Sequence, residues 1–455
     1  MIQNHKERLE KVKELKEFIN EFAWLSDFFA IDFITKQYWS STFRDDWKIL
    51  EHESVSTLAD IVSHGFIKDS WPDSLKQYIT RASNIGLIRT QQFHGELELD
   101  KEVKIGMKQK KVAEVTSISS KINDIAVKNK ITHILDLGAG QGYLSSALAF
   151  QYHYHVIAID RDMHQTAGGA HRANRIANLY AHHKIELRGS LRFLTESIST
   201  TDTMQDIFQK VEQAFPDVIG SRWMICGLHT CGDLAVTMIK GFCAFSEPNA
   251  CSLVNLGCCY QLISEKPESC ESDEGFGFPL STSVKPYHLG LNNRLTGCQA
   301  VKRWASDLPG LEDSLRRLFY RSVLEQLMKD RNLVTDPESV ADSIKSSKGE
   351  VAIKKLGVQA CTDPITYTNA AFERLGIKEK LPNGIILGTY EWYSTAHIQI
   401  AVVWTLRTLL SNAVESLILL DRMIYVSEQN IDAELVSLAD PSVSPRNMGV
   451  VIIKK

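Results

Sequence analysis

The stretch from Ile134 to Ala149 constrains the fold of this chain more than any other segment. It contains apolar residues around Asp136, then three glycines at alternate positions, then an apolar pattern of helical spacing. A buried strand followed by a glycine turn and a helix start is typical of a parallel α/β sheet with a nucleotide-like cofactor at its carboxyl edge. We therefore expect a cofactor site at this turn.

The glycine spacing indicates which cofactor the turn holds. A dinucleotide fingerprint needs its third glycine three positions after the second, whereas this run is GAGQG. An acid before such a turn favours S-adenosylmethionine, and a dinucleotide is the alternative. A phosphate-binding P-loop is excluded because no Gly-Lys-Ser/Thr follows. We expect Asp136 at the charged amino-acid end of the cofactor, with Gly138, Ala139, Gly140 and Gly142 beside it.

A second acid and several further strands complete the predicted sheet. Residues 155–160, HVIAID, predict a strand that ends in Asp160, 22 residues after Gly138, where a carboxylate accepts hydrogen bonds from ribose hydroxyls. Further strands are expected within 183–191, 222–229 and 250–260, and two more within 433–440 and 447–455 return to the same sheet. The expected fold is therefore α/β, Rossmann-like and seven-stranded.

Polar residues follow the fourth and fifth predicted strands, whose carboxyl ends face the same cleft as the glycine turn. His229 or Asp233 is a candidate general base. The alternatives are that Asp233 caps a helix that starts at Leu234 and that His229 orients a loop. Tyr260 is a candidate for stacking on a base or on the cofactor adenine, and ordinary packing is the alternative.

Cysteines dominate the same two strand ends. His229, Cys231, Cys258 and Cys259 are expected to converge there, and three sulfurs with an imidazole form a zinc ligand set. No Cys-x-x-Cys pair occurs at these positions, and adjacent cysteines rarely point at one metal, so we expect buried thiols and no metal. Nine cysteines, an odd number, indicate reduced intracellular thiols rather than a disulfide framework.

The length of the chain predicts more than one compact region. We expect a helical region at 1–125, a core with strands one to five at 126–284, a mostly helical insertion at 285–395, and a helix with the last two strands at 396–455. The loop 264–281 is expected to cover the cleft, and residues 384–393 are expected to form a loop or a bent strand.

Net charge and hydropathy limit the partners. The net charge of −4 gives no global attraction for nucleic acid, although a lysine run at 101–111 and Arg316, Arg317 and Arg321 offer local phosphate contacts. The N-terminus is too charged for a signal peptide, and the longest apolar stretches fall short of a membrane span. We therefore expect a cytoplasmic or nuclear location and no membrane partner.

Several motifs together resemble a known family. These are ILDLGAGQGYLS, CGLHTCGDLA, NLGCCYQL, FGFPLS, YRSVLE and SPRNMGVV, which resemble the methyltransferase-like protein 25 group, also labelled rRNA adenine dimethylase domain-containing proteins. The similarity runs from about residue 107 to the C-terminus. It implies a Rossmann-like methyltransferase that uses S-adenosylmethionine.

The residues after the fourth strand bear on the methyl acceptor. Enzymes that methylate an exocyclic base nitrogen carry an Asn/Asp-Pro-Pro-aromatic turn there, whereas this chain has HTCGD, which disfavours adenine N6 as the acceptor. The cysteine motifs also resemble those of tRNA 2′-O-methyltransferases, although Cys-Cys-x-His is replaced by CCYQ. We expect RNA, either rRNA or tRNA, as the acceptor and no DNA. Protein methylation and an inactive methyltransferase-fold interaction protein are the alternatives.

Overall fold

The structure of the protein is a computed structural model. It describes residues 4–87, 97–246, 249–267, 270, 275–299, 301, 304, 307–333, 344–345, 351–352, 356–441, 444 and 446–454.

Helices make up most of the described secondary structure. The α-helices in chain order are α1 (His5–Phe22), α2 (Tyr38–Ser41), α3 (Val55–His64), α4 (Asp73–Ile85), α5 (Gln109–Lys128), α6 (Tyr143–Ser146), α7 (Met163–His182), α8 (Met204–Ala214), α9 (Asp233–Ala244), α10 (Gly290–Thr296), α11 (Leu308–Asp330), α12 (Pro364–Leu375), α13 (Asn383–Trp392), α14 (Ala396–Leu409) and α15 (Ser411–Glu428).

The strands form one large sheet and one small one. They are β1 (His133–Leu137), β2 (His155–Asp160), β3 (Ser190–Thr195), β4 (Trp223–Thr230), β5 (Ala250–Gly257), β6 (Ile344–Lys345), β7 (Val351–Ala352), β8 (Ala433–Ser437) and β9 (Met448–Ile453). β6 and β7 pair with each other in a two-stranded antiparallel sheet.

The large sheet has seven strands in the order β3-β2-β1-β4-β5-β9-β8. β1 to β5 are parallel, and β9 runs antiparallel to both β5 and β8. The order reverses between β1 and β4, and such a switch point opens a crevice at the carboxyl ends of parallel strands. The predicted seven-stranded, Rossmann-like α/β fold is confirmed, including the return of the last two strands to the first sheet.

Helices cover both faces of the sheet, because alternate residues of each buried strand point to opposite faces. Leu135 and Leu137 pack in a core with residues of α8, α9 and α15. Ile134 packs on the other face with residues of α5 and α6. Asp136 alternates with Leu135 and therefore places a carboxyl on the α5–α6 face.

The chain divides into two compact units. The first comprises residues 1–20, 85–300 and 411–455 and contains the large sheet, and the second comprises residues 21–84 and 301–410. The boundaries expected at 125, 285 and 395 do not coincide with these units. Residues 21–84 share a core with later helices of the second unit, where the Tyr78 hydroxyl donates to the Leu406 carbonyl at 2.6 Å. Helical periodicity alone does not indicate which helices pack together.

Two helical segments differ from what their sequences indicate. Residues 384–393, expected as a loop or bent strand, lie almost entirely in α13, where their aromatic and branched residues do not prevent a helix. Residues 396–428 are the one described helical run with the length and composition of a membrane span. Within that run, 89% of the most apolar window is buried inside the protein, which is the burial of an interior helix.

Candidate active site

The glycine turn lies directly after β1 and has the conformation that its glycines permit. Gly138, Gly140 and Gly142 have φ values of 72°, 55° and 62°, which residues with a Cβ rarely adopt. A Cβ on Gly142 would lie 2.7 Å from the ring of Phe193, whereas a Cβ on Gly140 would meet no atom within 4 Å. The turn therefore packs tightly at its inner end and borders open space at Gly140.

Asp160 ends β2 and holds the glycine turn. Its Oδ2 accepts a hydrogen bond from the Gly140 amide at 2.8 Å, and its Oδ1 accepts one from the Asp162 amide at 2.9 Å. Each carboxylate oxygen has two lone pairs, so the carboxylate retains acceptor capacity for a ligand hydroxyl. Asp160, predicted to bind the cofactor, thus lies next to the turn. It also fixes the backbone of the turn at Gly140, a role that the sequence did not indicate.

Asp136 is buried directly below the turn, with 1% of its surface exposed. The Ser145 hydroxyl donates to its Oδ2 at 2.6 Å, while Oδ1 has no hydrogen-bond partner of good geometry and faces the Cys226 thiol on β4. Burial raises the pKa of the Asp136 carboxyl to about 7. The predicted cofactor residue is therefore a carboxyl whose charge needs a compensating group.

His229 lies near the end of β4 in a left-handed conformation, with φ of 61°. Its Nε2 lies 2.7 Å from Oε1 of Glu114 on α5, and the Ser444 hydroxyl donates to the same oxygen at 2.8 Å. Lys111 donates to the other oxygen of Glu114 at 2.5 Å. A strained backbone that is held by a buried acid is typical of a functional position.

Glu114 was not predicted from the sequence. Burial opposes ionisation of its carboxyl, but the hydrogen bonds from His229 and Lys111 outweigh burial and hold the pKa well below its usual range. One sequence signal existed. Glu114, Ile118 and Ile122 follow each other at four-residue spacing, so Glu114 is an acid on the apolar face of α5.

Asp233 is the first residue of α9, and its side chain forms a hydrogen bond with the segment after β5. The N-cap of α9 is Gly232, and Oδ1 of Asp233 accepts a hydrogen bond from the Ser264 amide at 2.9 Å. The expected capping role for Asp233 is therefore wrong, because Gly232 adopts φ of 58° and ψ of −130° at the position before the helix. The predicted general-base role of Asp233 stays a prediction.

Gly232 is required at this turn, and its replacement gives a first prediction. A Cβ there would lie 2.5 Å from the Leu262 carbonyl oxygen, in addition to the positive φ. We expect Gly232→Ala to lower the free energy of unfolding by about 2 to 4 kcal/mol. Gly168→Ala is the control, because Gly168 lies in α7 with no atom within 4 Å of an added Cβ. The control should stabilise by about 0.5 kcal/mol or more in urea unfolding, and equal effects would contradict this account.

Tyr260 does not lie in the cleft. It is 1% exposed, and its hydroxyl donates to Oε1 of Glu415 at 2.9 Å. The guanidinium groups of Arg422 and Arg446 lie 6.0 and 5.8 Å from its ring centre. The proposed stacking on a base or on the cofactor is corrected to core packing, because the 3-10 turn after β5 directs the ring inward.

Three thiols meet where β4 and β5 end. The Sγ atom of Cys231 lies 3.5 Å from that of Cys258 and 3.1 Å from that of Cys259, and the last two are 3.4 Å apart. The hydrogen bond from Cys258 lowers the pKa of Cys231 to about 6, while burial raises the pKa of Cys259 to about 11. His229 is close but does not join this cluster, since its imidazole is directed to Glu114.

A lysine-bearing segment runs beside the glycine turn. The Tyr143 hydroxyl of α6 donates to the Gly106 carbonyl at 3.3 Å, which places Gly106 close to the helix that follows the turn. Lys101 and Lys108 are exposed, whereas Lys104 forms an ion pair with Glu98. Part of the predicted basic run therefore borders the candidate site.

The loop predicted to cover the cleft is anchored at both ends. The Ser264 carbonyl accepts hydrogen bonds from the Gly277 and Phe278 amides at 3.0 Å each, and Asp421 accepts bonds from Leu280 and Ser281. Its middle residues, 268–269 and 271–274, lie outside the described residues, so the covering role stays a prediction.

Comparison of this sequence with known proteins finds a family model and several relatives. A family model described as a methyltransferase domain matches residues 107–266. The probable methyltransferase-like protein 25 of Homo sapiens is 33% identical over 271 residues, or 58% of this chain and 40% of that protein. Its Mus musculus counterpart is 32% identical over 273 residues, or 58% of this chain and 41% of that protein. The chain thus spans about two fifths of the length of these relatives.

Two methyltransferases are among the solved structures that match parts of the chain. An S-adenosylmethionine-dependent methyltransferase from Clostridium acetobutylicum matches 35% of this chain and 58% of its own, with 15% identity and a TM-score of 0.21. Coclaurine N-methyltransferase bound to N-methylheliamine and SAH matches 57% of this chain and 65% of its own, with 11% identity and a TM-score of 0.19. Residues 107–266 thus match a methyltransferase domain, and the chain is similar to the probable methyltransferase-like protein 25 of two mammals, the group that its motifs resemble.

Proposed function

We propose that this protein is an S-adenosylmethionine-dependent methyltransferase that acts on RNA. The observation that carries the proposal is the glycine turn held by Asp160 at the switch point of a seven-stranded sheet. The matched methyltransferase domain includes both the turn and the cysteine-bearing ends of β4 and β5. When bound, the cofactor supplies a methyl group on a sulfonium centre.

The residues around the turn fit this cofactor. Gly140 borders open space, and the partly exposed Asp160 carboxylate next to it has acceptor capacity for a ribose diol. Asp136 offers a buried carboxyl oxygen that lacks a well-placed donor, which suits a cationic group. An S-adenosylmethionine molecule presents both a ribose diol and an ammonium group.

His229 is the better candidate than Asp233 for accepting a proton from the methyl acceptor. An imidazole that donates from Nε2 to Glu114 has its lone pair on Nδ1, where it can accept a proton, whereas the Asp233 carboxylate also anchors the segment after β5 through the Ser264 amide. Glu114 would act as a positioning residue that fixes this tautomer.

Glu114→Gln tests this role. A glutamine amide donates to Nε2 and so favours the tautomer with the proton on Nδ1, and we expect kcat to fall about 100-fold. The dissociation constant for S-adenosylmethionine should not change. Ser444→Ala removes a second hydrogen bond to the same Glu114 oxygen without this tautomer effect, so its kcat should stay near wild type. A weaker cofactor affinity in Glu114→Gln, or equal kcat losses in both variants, would contradict the positioning role.

RNA is favoured as the acceptor because exposed lysines border the candidate site. Lys101 and Lys108 are exposed and flank Gly106, which contacts the helix after the glycine turn, and such lysines attract a phosphate backbone. The test incubates the protein and labelled cofactor with separated RNA and protein fractions from cells that lack the gene. Label in RNA supports the proposal, label only in protein favours protein methylation, and cofactor binding without transfer favours an interaction protein.

A further inference from the structure

The three thiols of Cys231, Cys258 and Cys259 form a cluster that the methyl-transfer proposal does not use. All three Sγ atoms lie within 4.8 Å of one another, and no fourth His, Cys, Asp or Glu of the described residues joins them. We call this group the three-thiol cluster. Its members come from two different strand ends, so their convergence is a product of the fold.

The sulfur spacing is close to that of a metal site. Zn²⁺ binds thiolates at about 2.3 Å in tetrahedral geometry, which places the sulfur atoms about 3.8 Å apart. The observed separations of 3.1 to 3.5 Å differ from this value by less than 1 Å. A small rotation of the side chains would therefore bring the three sulfurs to ligand distance.

The adjacent cysteines both reach the cluster because they lie beyond the strand. Side chains alternate between the two faces only within a strand, and β5 ends at Gly257. Cys259 has φ of −94° and ψ of 74°, which breaks the alternation and turns its thiol toward that of Cys258. The sequence argument against a shared metal assumed that adjacent cysteines diverge, and here they do not.

A buried cation provides a second, independent observation. Arg422 on α15 is 2% exposed, its Nη1 has no hydrogen-bond partner, and this atom packs against Gly257, where a Cβ would lie 2.6 Å from it. Its charge interacts with Tyr260 and Asp421 and, at the cluster, with Cys258. A buried guanidinium without a full set of acceptors is costly, and it is compensated when negative charge lies nearby. Three thiolates with one Zn²⁺ carry a net charge of −1.

We propose that Cys231, Cys258 and Cys259 bind one zinc ion whose fourth coordination position is open to solvent. Cys231 is exposed, so the open position faces the carboxyl edge of the sheet. Structural zinc sites are closed by four protein ligands, whereas sites with three keep a position for water or substrate. That this position faces the methyl acceptor rests on the proposed function, but metal binding itself does not.

The test measures zinc in the full-length chain after purification under reducing conditions and stoichiometric reconstitution with Zn²⁺. We expect about one zinc per chain in the wild type and none retained after dialysis in Cys231→Ser, Cys258→Ser or Cys259→Ser. Cys243→Ser is the matched control, because Cys243 lies on α9 outside the cluster, and it should retain zinc like the wild type. Substitution by Co²⁺ should give a thiolate-to-cobalt charge-transfer band that the cluster variants lack.

Two results would overturn the inference. One is a reduced wild-type chain that retains no zinc, and the other is equal zinc retention in the wild type and all cluster variants. Cofactor binding is measured separately by calorimetry on the same samples. A chain that binds S-adenosylmethionine but no zinc contradicts only the metal site, whereas one that binds zinc but no cofactor contradicts only the proposed function.

Discussion

Replacing Asp160 by alanine should weaken the binding of S-adenosylmethionine by at least about 100-fold. The variant loses the carboxylate that is available to a ribose diol, and hydrogen bonds to a charged group contribute about 1.5 to 3 kcal/mol each. It also releases the Gly140 amide, which Asp160 holds at 2.8 Å. Isothermal titration calorimetry of both proteins measures the ratio of dissociation constants.

Asp162→Ala is the matched control for this experiment. Asp162 lies two residues further along, where its side chain caps α7 through a 2.8 Å hydrogen bond from the His164 amide. Loss of a cap lowers stability by about 1 kcal/mol, but the cofactor affinity should not change. If both variants bind equally well, the cofactor does not depend on Asp160.

Asp136→Asn should be more stable than the wild type at alkaline pH. Burial raises the pKa of the Asp136 carboxyl from 3.8 to about 7, so the folded state prefers the protonated form. Well below pH 3.8 the carboxyl is protonated in both the folded and unfolded states, and the folded state carries no penalty. The penalty on the folded state grows as the pH rises from about 4 to 7 and is constant above, at about 4 kcal/mol. Asparagine carries no charge and so avoids this penalty, and its side-chain oxygen still accepts the hydrogen bond from the Ser145 hydroxyl.

Urea unfolding at pH 8, 6 and 4 measures this effect. The stability advantage of Asp136→Asn should be largest at pH 8 and fall below about 1 kcal/mol at pH 4. Asp162→Asn is the control, because asparagine caps a helix as well as aspartate and Asp162 is exposed, so no such pH dependence is expected. A variant that is no more stable than the wild type at pH 8 would show that the Asp136 charge is already compensated.

Local patterns in the sequence predicted the parts of the fold that depend on local structure. The glycine turn and β2 could be located because glycine spacing and a short apolar run ending in an acid are local signals. The return of β8 and β9 to the sheet was also predicted, from the two strand-like runs at 433–440 and 447–455.

Contacts between residues that are far apart in the chain could not be predicted from the sequence. Glu114 and Ser444 meet although 330 residues separate them, and no local pattern pairs them. Tyr260 was misplaced because the 3-10 turn after β5 sets the direction of its ring, which residue type does not indicate. Residues 21–84 belong to the second unit because their helices pack against later helices. Helical periodicity does not indicate which helices pack together.

Thermal unfolding with S-adenosylmethionine and with its demethylated product tests the central claim most directly. A ligand that binds only the folded state at 100 times its dissociation constant stabilises it by about 2.7 kcal/mol. We predict that either ligand raises the Tm of the wild type by several degrees and raises that of Asp160→Ala much less. Unchanged wild-type Tm at millimolar concentrations of both ligands would contradict the claim that this turn holds S-adenosylmethionine.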